Sequence, residues 1–176
     1  FFAGPASAVP QSSYDATGRP ECVAQRMNMA AFGSLPASAC SLGTAGSSGP
    51  DRIVKTHYDA AGRASRTESA LGTVDQADET LKTFTDNGQI ASLADGKGNK
   101  TTYEYDGHDR LKKARYPDPA IVGASSTTDY EEFSYDAGSN VTATRLRDGQ
   151  VIGFTYDDLS RLTLKDLPGS NPDTSY

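Results

Sequence analysis

The chain reads as an all-β protein assembled from tandem β-hairpins lying side by side in an antiparallel sheet. Three observations predict this. A Tyr-Asp heptapeptide keeps returning, the residues before it alternate in character, and Gly-bearing turn signals punctuate the chain. Self-similarity at related spacings marks a repeat architecture, and a repeated unit seldom carries chemistry on its own.

The clearest copies are Tyr14-Asp15-Ala16-Thr17-Gly18-Arg19-Pro20 and Tyr58-Asp59-Ala60-Ala61-Gly62-Arg63-Ala64. Weaker ones run from Phe84 to Ile90, with Gly88 kept, and from Tyr105 and Asp106 through Arg110 to Leu111. Two more open at Tyr135-Asp136 and at Tyr156-Asp157, the last with Arg161 and Leu162. Copies therefore start at 14, 58, 84, 105, 135 and 156, with gaps of 44, 26, 21, 30 and 21 residues. A unit of 21 explains two gaps, 26 and 30 read as units with loop insertions, and 44 is about two units with one replaced. Tyr176 stands where a seventh copy would open, and position 1 is Phe, so the sequence is expected to be a segment of a longer array.

Each unit is predicted to be two strands and two turns. Tyr103 and Tyr105 share one face of a strand, with Thr102 and Glu104 opposite; Phe133 with Tyr135, and Ile152 and Phe154 with Tyr156, repeat the pattern. Period-two alternation of aromatic and β-branched residues is the half-buried strand signature. Such doublets are expected to stack on equivalent doublets of neighbouring strands, each pair worth roughly 0.2–1 kcal/mol. The Asp after each Tyr accepts a backbone N–H two residues on and starts an Asx turn. Gly18, Gly62 and Gly88 then supply a positive φ without steric cost. Asp109 tolerates it moderately and Ser139 and Ser160 poorly, so the last two turns are expected to adopt another geometry. Asp148-Gly149 is a strong signal for the return turn, with Asp95 to Asn99 and Pro168-Gly169 as looser ones. A hairpin alone is marginal in water, so every unit must lean on its neighbours.

Three domains of sequence follow. Residues 1–20 hold the first copy behind an irregular lead, 21–50 form a Ser/Ala/Gly-rich insert, and 51–176 carry the array. Within the insert, Ala24 to Phe32 has the composition for one or two helical turns. Pro117 to Asp129 reads as a loop, and the acidic stretch Thr73 to Lys82 as a short helix or a loop. Cys22 and Cys40 lie 18 apart in the insert, a spacing that suits a disulfide and two free thiols alike.

Composition narrows the function. Hydrophobic residues make up 36 %, there is no Trp, and Gly and Pro number 17 and 9. That suits shallow, sequential burial rather than one thick core. A net charge of −6 argues against a nucleic-acid surface, which needs clustered Lys and Arg. No apolar run reaches the length of a membrane span.

No nucleophile motif, phosphate loop or metal-ligand cluster stands out, so no catalytic residue, cofactor or metal is expected. Paired carboxylates at Glu131-Glu132 or Asp157-Asp158 are more simply turn and strand residues. Asp86-Asn87-Gly88 and Asp95-Gly96-Lys97 lack the spacing of a calcium loop. His57, opposite Tyr58, and His108, at a turn tip, are expected to be exposed. Arg19, Arg63, Arg110 and Arg161 are placed to pair with the recurrent aspartates along the stack.

The Tyr-Asp-x-x-Gly-Arg-Leu pattern resembles the YD repeat of the RHS family, on residues Tyr14 to Pro20, Tyr58 to Ala64, Tyr105 to Leu111 and Tyr156 to Leu162. The resemblance implies a curved, spiralling sheet that forms part of a hollow shell. It also implies a structural, non-enzymatic role in enclosing a C-terminal toxin for interbacterial competition, in a secreted or cell-surface bacterial protein. The implied partners are neighbouring repeats of the same chain and the enclosed toxin. The alternative is a surface module that binds carbohydrate or another partner. Family shells often end in a self-cleaving Asp-Pro-x-Gly segment; Asp118-Pro119-Ala120-Ile121 lacks that Gly and reads as an ordinary loop. Cut from its array, the segment leaves unpaired strand edges and is expected to be poorly stable alone.

Overall fold

A computed structural model of the chain describes residues 8–169 and 172–176. The first seven residues, part of the expected irregular lead, lie outside the described residues. Thirteen strands run through them: β1 (Val9–Tyr14), β2 (Pro20–Arg26), β3 (Arg52–Tyr58), β4 (Ala64–Ser69), β5 (Ala77–Phe84), β6 (Ile90–Asp95) and β7 (Lys100–Tyr105). They continue as β8 (Leu111–Pro117), β9 (Ser125–Tyr135), β10 (Val141–Arg145), β11 (Val151–Tyr156), β12 (Leu162–Asp166) and β13 (Thr174–Ser175). The protein is all-β and antiparallel. It divides into two compact units, Phe1–Lys82 and Thr83–Tyr176, with the division inside β5.

In the first unit β1 pairs β2, β2 pairs β3, β3 pairs β4 and β4 pairs β5. In the second, β6 to β13 pair in the same way, each with its chain neighbour. This follows from short turns, because a hairpin connection places consecutive strands antiparallel and adjacent. The Tyr-Asp turns share one construction. The N–H of the second heptapeptide residue donates to the carbonyl of the sixth, as from Asp15 to Arg19 at 2.9 Å, and the fifth N–H donates back to the second carbonyl. The fifth residue is left-handed, which makes a three-residue hairpin loop with a bulge, and the strand register slips beside Tyr14, Tyr58, Tyr105 and Tyr156.

Several expectations change. The last two turns do not depart from the pattern: Ser139 and Ser160 sit at φ 68° and 60°, beside Asp109 at 61°. The hydrogen bonds around the turn outweigh the left-handed strain of a side chain, which is on the order of 1–2 kcal/mol. The return turns at Asp95–Asn99 and Leu146–Gln150 use the same loop, with Gly98 and Gly149 left-handed. The insert is shorter than 21–50, because β2 occupies Pro20–Arg26, and its helical content is a single 3-10 turn at Met29–Ala31. Alternating Cys22, Ala24 and Arg26 are buried with exposed residues between them, so strand periodicity prevails there. Of the acidic stretch, residues 73–76 form the expected loop, while β5 covers Ala77–Phe84 and alternates exposed with half-buried residues. The loop expected from Pro117 to Asp129 is confined to 118–124 by β9. There the Gly123 N–H donates to the Gly98 carbonyl at 2.9 Å, seating the loop on a return turn.

The aromatic doublets do not meet one another across paired strands. Tyr103 faces Ala114, Phe133 faces Thr144 and Phe154 faces Lys165. The reason is the two-strand unit: equivalent doublets are separated by a return strand, so they lie about 9–10 Å apart. His57 is half-buried rather than exposed. Its Nε2 lies against the Glu68 carboxylate, and Arg66 bridges Glu68 at 2.9 Å and Asp78 at 3.4 Å. The β3–β4 register that sets His57 opposite Arg66 collects these charges on one face. The hydrogen bond from His57 is the largest cause of a Glu68 carboxyl held below its usual range. His108 is exposed.

The first unit owns a small core, Cys22, Ala24, Ala39 and Ile53, joined by Cys40 and Leu71. Cys22 and Cys40 are bonded to each other, and Arg26 and Asp51, 1 % and 5 % exposed, form a buried ion pair at 2.7 Å. The Arg26 guanidinium also donates to Gln11, to the Ser41 carbonyl and to the Ser38 carbonyl. Asp51 accepts the N–H groups of Met27 and Gly43. Burial pushes its carboxyl up, but these donors outweigh burial and hold it below the ordinary range. The insert is thereby pinned to β1, β2 and β3. Asp51→Ala leaves a buried guanidinium without its anion and is expected to destabilise the first unit by about 3–5 kcal/mol, read as a lower urea midpoint.

Candidate functional site

The repeated turns are the candidate site. At each full Tyr-Asp turn the aspartate carboxylate acts as a clamp. Its Oδ1 accepts the fourth and sixth N–H groups: Thr17 and Arg19 on Asp15, Ala61 and Arg63 on Asp59, His108 and Arg110 on Asp106, Leu159 and Arg161 on Asp157. Its Oδ2 accepts the sixth side chain, with Nε of Arg19, Arg63, Arg110 and Arg161 at 2.7–2.8 Å. Asn140 fills that place on Asp136 at 2.9 Å, and in the return turn Asn99 does so on Asp95 at 2.7 Å. The recurrent arginines therefore pair with the aspartate of their own turn rather than with those of other turns.

The sixth residue also reaches the next turn. The Arg19 guanidinium stacks 4.3 Å over the Tyr58 ring and Arg110 4.4 Å over Tyr135. Arg110 further donates to Ser139 Oγ at 3.0 Å and to the Asp136 carbonyl at 3.2 Å. Asn140 donates to Ser160 Oγ at 3.1 Å, and Gln89 to the Asp109 carbonyl at 2.6 Å. In return, each tyrosine hydroxyl donates to the seventh carbonyl of the preceding copy. Tyr58 bonds Pro20, Tyr105 bonds Ile90, Tyr135 bonds Leu111 and Tyr156 bonds Val141, all within 2.7–3.0 Å. A hydroxyl that donates inward while its ring accepts a cation on the face uses both chemical properties of tyrosine.

Other polar groups are committed elsewhere. Glu131 accepts the Tyr116 hydroxyl at 2.8 Å while the neighbouring Glu132 pairs with Lys113 at 3.1 Å. Adjacent strand residues point to opposite faces, so these carboxylates do not converge. Tyr130 lies under Lys113 and Arg145, and Tyr116 under Arg147, which also pairs with Asp129. Among the described residues no group of three or more His, Cys, Asp or Glu is placed to hold a metal ion. No described helix is long and apolar enough to cross a membrane.

Sequence reading singled out Tyr, Asp, Gly and Arg of the turns, and the structure brings these together. Tyr103, Phe133 and Phe154 sit two residues upstream on the strands, outside the clamps. Missed were Asn140 and Gln89, which their sixth position in the heptapeptide would have revealed, and the seventh-residue carbonyls. Arg26 and Asp51 had no local signal at all.

A family model described as RHS Repeat matches residues 84–121, the copies opened by Phe84 and Tyr105. That stretch is similar to an RHS repeat. No curated protein matches the chain. Among solved structures, the chain resembles the crystal structure of TcdB2-TccC3-Cdc42 with a TM-score of 0.61 and 19 % identity, over 90 % of this chain and 7 % of that one. The Tc holotoxin pore of Photorhabdus luminescens, with a substituted TccC3, gives 0.60 and 19 % over 89 % and 7 %. TcdB2-TccC3 without its hypervariable C-terminal region gives 0.54 and 17 % over 90 % and 9 %. These likenesses show the fold, and the chain spans under a tenth of the length of each.

Every clamped carboxyl titrates below the ordinary aspartate range. For Asp106 the Arg110 side chain is the largest cause and brings it to about 2; for Asp15, Asp59 and Asp157 the sixth backbone N–H leads. A folded value below the unfolded one contributes stability that is full above the unfolded value, about 3.9, and is lost as pH falls through the folded values. The urea midpoint is expected to stay level from pH 7 to 5 and to fall steadily below about pH 4. Tyr135→Phe deletes the bond to the Leu111 carbonyl while keeping the ring beneath Arg110. It is expected to lower stability by about 0.5–1.5 kcal/mol in denaturant unfolding.

Proposed function

We propose that this chain is a wall-building segment of an RHS-type shell. Its repeats would join turn to turn into the β-wall that encloses and carries a C-terminal toxin in competition between bacteria. The observation that carries this reading is the relay between turns, in which the sixth residue of one copy grips the next turn and the next tyrosine grips back. A connection that recurs with variations along the row of turns has no unique centre, which suits a wall and not an active site. The turn carboxylates that acid–base chemistry would need are consumed in clamps, and this supports a non-enzymatic role. Likeness to TcdB2-TccC3 supports a toxin-complex setting. The Cys22–Cys40 bond suits a secreted or surface protein, since disulfides persist in oxidising compartments.

The test uses the full-length gene product. In-frame removal of residues 105–134, one repeat, is expected to open the wall and expose a previously protected C-terminal segment to added protease. If the intact protein shields no segment, the shell reading fails. Selective retention of such an unshielding protein on a glycan array would favour a surface-binding module instead.

A further inference from the structure

The copy opened by Phe84 departs from the others at three of the positions that make the clamp and the relay. Phe84 has no hydroxyl to donate to a preceding seventh carbonyl. Thr85 offers one uncharged hydroxyl, 3.1 Å from the Gln89 N–H, where Asp106 offers two anionic oxygens that take two N–H groups and a guanidinium. Gln89 replaces the arginine. Its amide nitrogen reaches the Asp109 carbonyl, but its Oε1 is buried and has no hydrogen-bond partner. Asn87 adds a neutral donor to the Asp109 carboxylate. Charge-assisted bonds are roughly twice as strong as neutral ones, and a buried acceptor left without a partner disfavours the closed state.

We propose that the hairpin turned by residues 84–90 is the point at which the repeat sheet opens first. It is a yielding joint between stiffer repeats, set by exchange of Asp and Arg for Thr and Gln. The copies at Tyr105 and Tyr135 keep the aspartate clamp on Asp106 and Asp136 and are the internal standards. Local opening is readable because amide exchange reports the free energy of each segment separately.

The experiment is native-state hydrogen exchange with mass spectrometry on the full-length protein. Protection factors over residues 85–94 are expected to be about tenfold lower than over 106–115 and 136–144, the effect of exchanging a charge-assisted for a neutral hydrogen bond. Equal or higher protection over 85–94 overturns the proposal without any variant. Thr85→Asp combined with Gln89→Arg is expected to raise protection there about tenfold and leave 136–144 unchanged. A double variant that exchanges over 85–94 as the parent does also overturns it.

Discussion

The second-position carboxylate of the turn is the constraint on which the rest depends. One aspartate takes two backbone N–H groups and one side chain, as Asp106 does with His108, Arg110 and the Arg110 guanidinium. That set of bonds holds the loop, tolerates a left-handed Ser or Asp at the fifth position, and aims the sixth side chain along the row of turns. Without the aim there would be no guanidinium over Tyr135 and no donor to Ser139. Local turn chemistry and contact between repeats are thus the same interaction seen from two sides.

This explains how a chain so poor in apolar residues is held together. Among the described residues of the second unit the buried ones are Ala114, Ser92 and Ser126, which make no hydrophobic core. Order there comes from strand ladders, hydroxyl pairs such as Thr83 with Ser92 and Thr102 with Ser125, and cations laid on Tyr130 and Tyr135. Each term is modest, but each recurs or is shared by neighbours, so the sum grows with the number of repeats. The first unit works differently. Its insert folds back over β1, β2 and β3 and brings a small core, a disulfide and a buried ion pair.

The same economy bears on function. The clamp aspartates Asp15, Asp59, Asp106 and Asp157 are each engaged by the arginine of their own turn, and the turns spread them along the sheet rather than gathering them in a cleft. The copy at Phe84 varies this scheme, with Thr85 and Gln89 in place of the aspartate and the arginine.

The sequence by itself determined the local units. Heptapeptide recurrence, period-two alternation and turn residues made the hairpins, their order and the Tyr-Asp-Gly-Arg set legible, because turn and strand preferences act over a few residues. It misjudged Ser139 and Ser160, where intrinsic φ preference was overruled by their N–H bonds to the Asp136 and Asp157 carbonyls and by donors to their hydroxyls from Arg110 and Asn140. It also misjudged the doublets, because stacking two strands apart is a matter of sheet spacing and not of composition. Only the tertiary structure decided that Arg26 meets Asp51, that His57 meets Glu68, and that each tyrosine bonds the copy before it. Those partners are 25, 11 and 24 residues apart, and which distant groups come within reach is decided by strand register, a property that no short window of sequence contains.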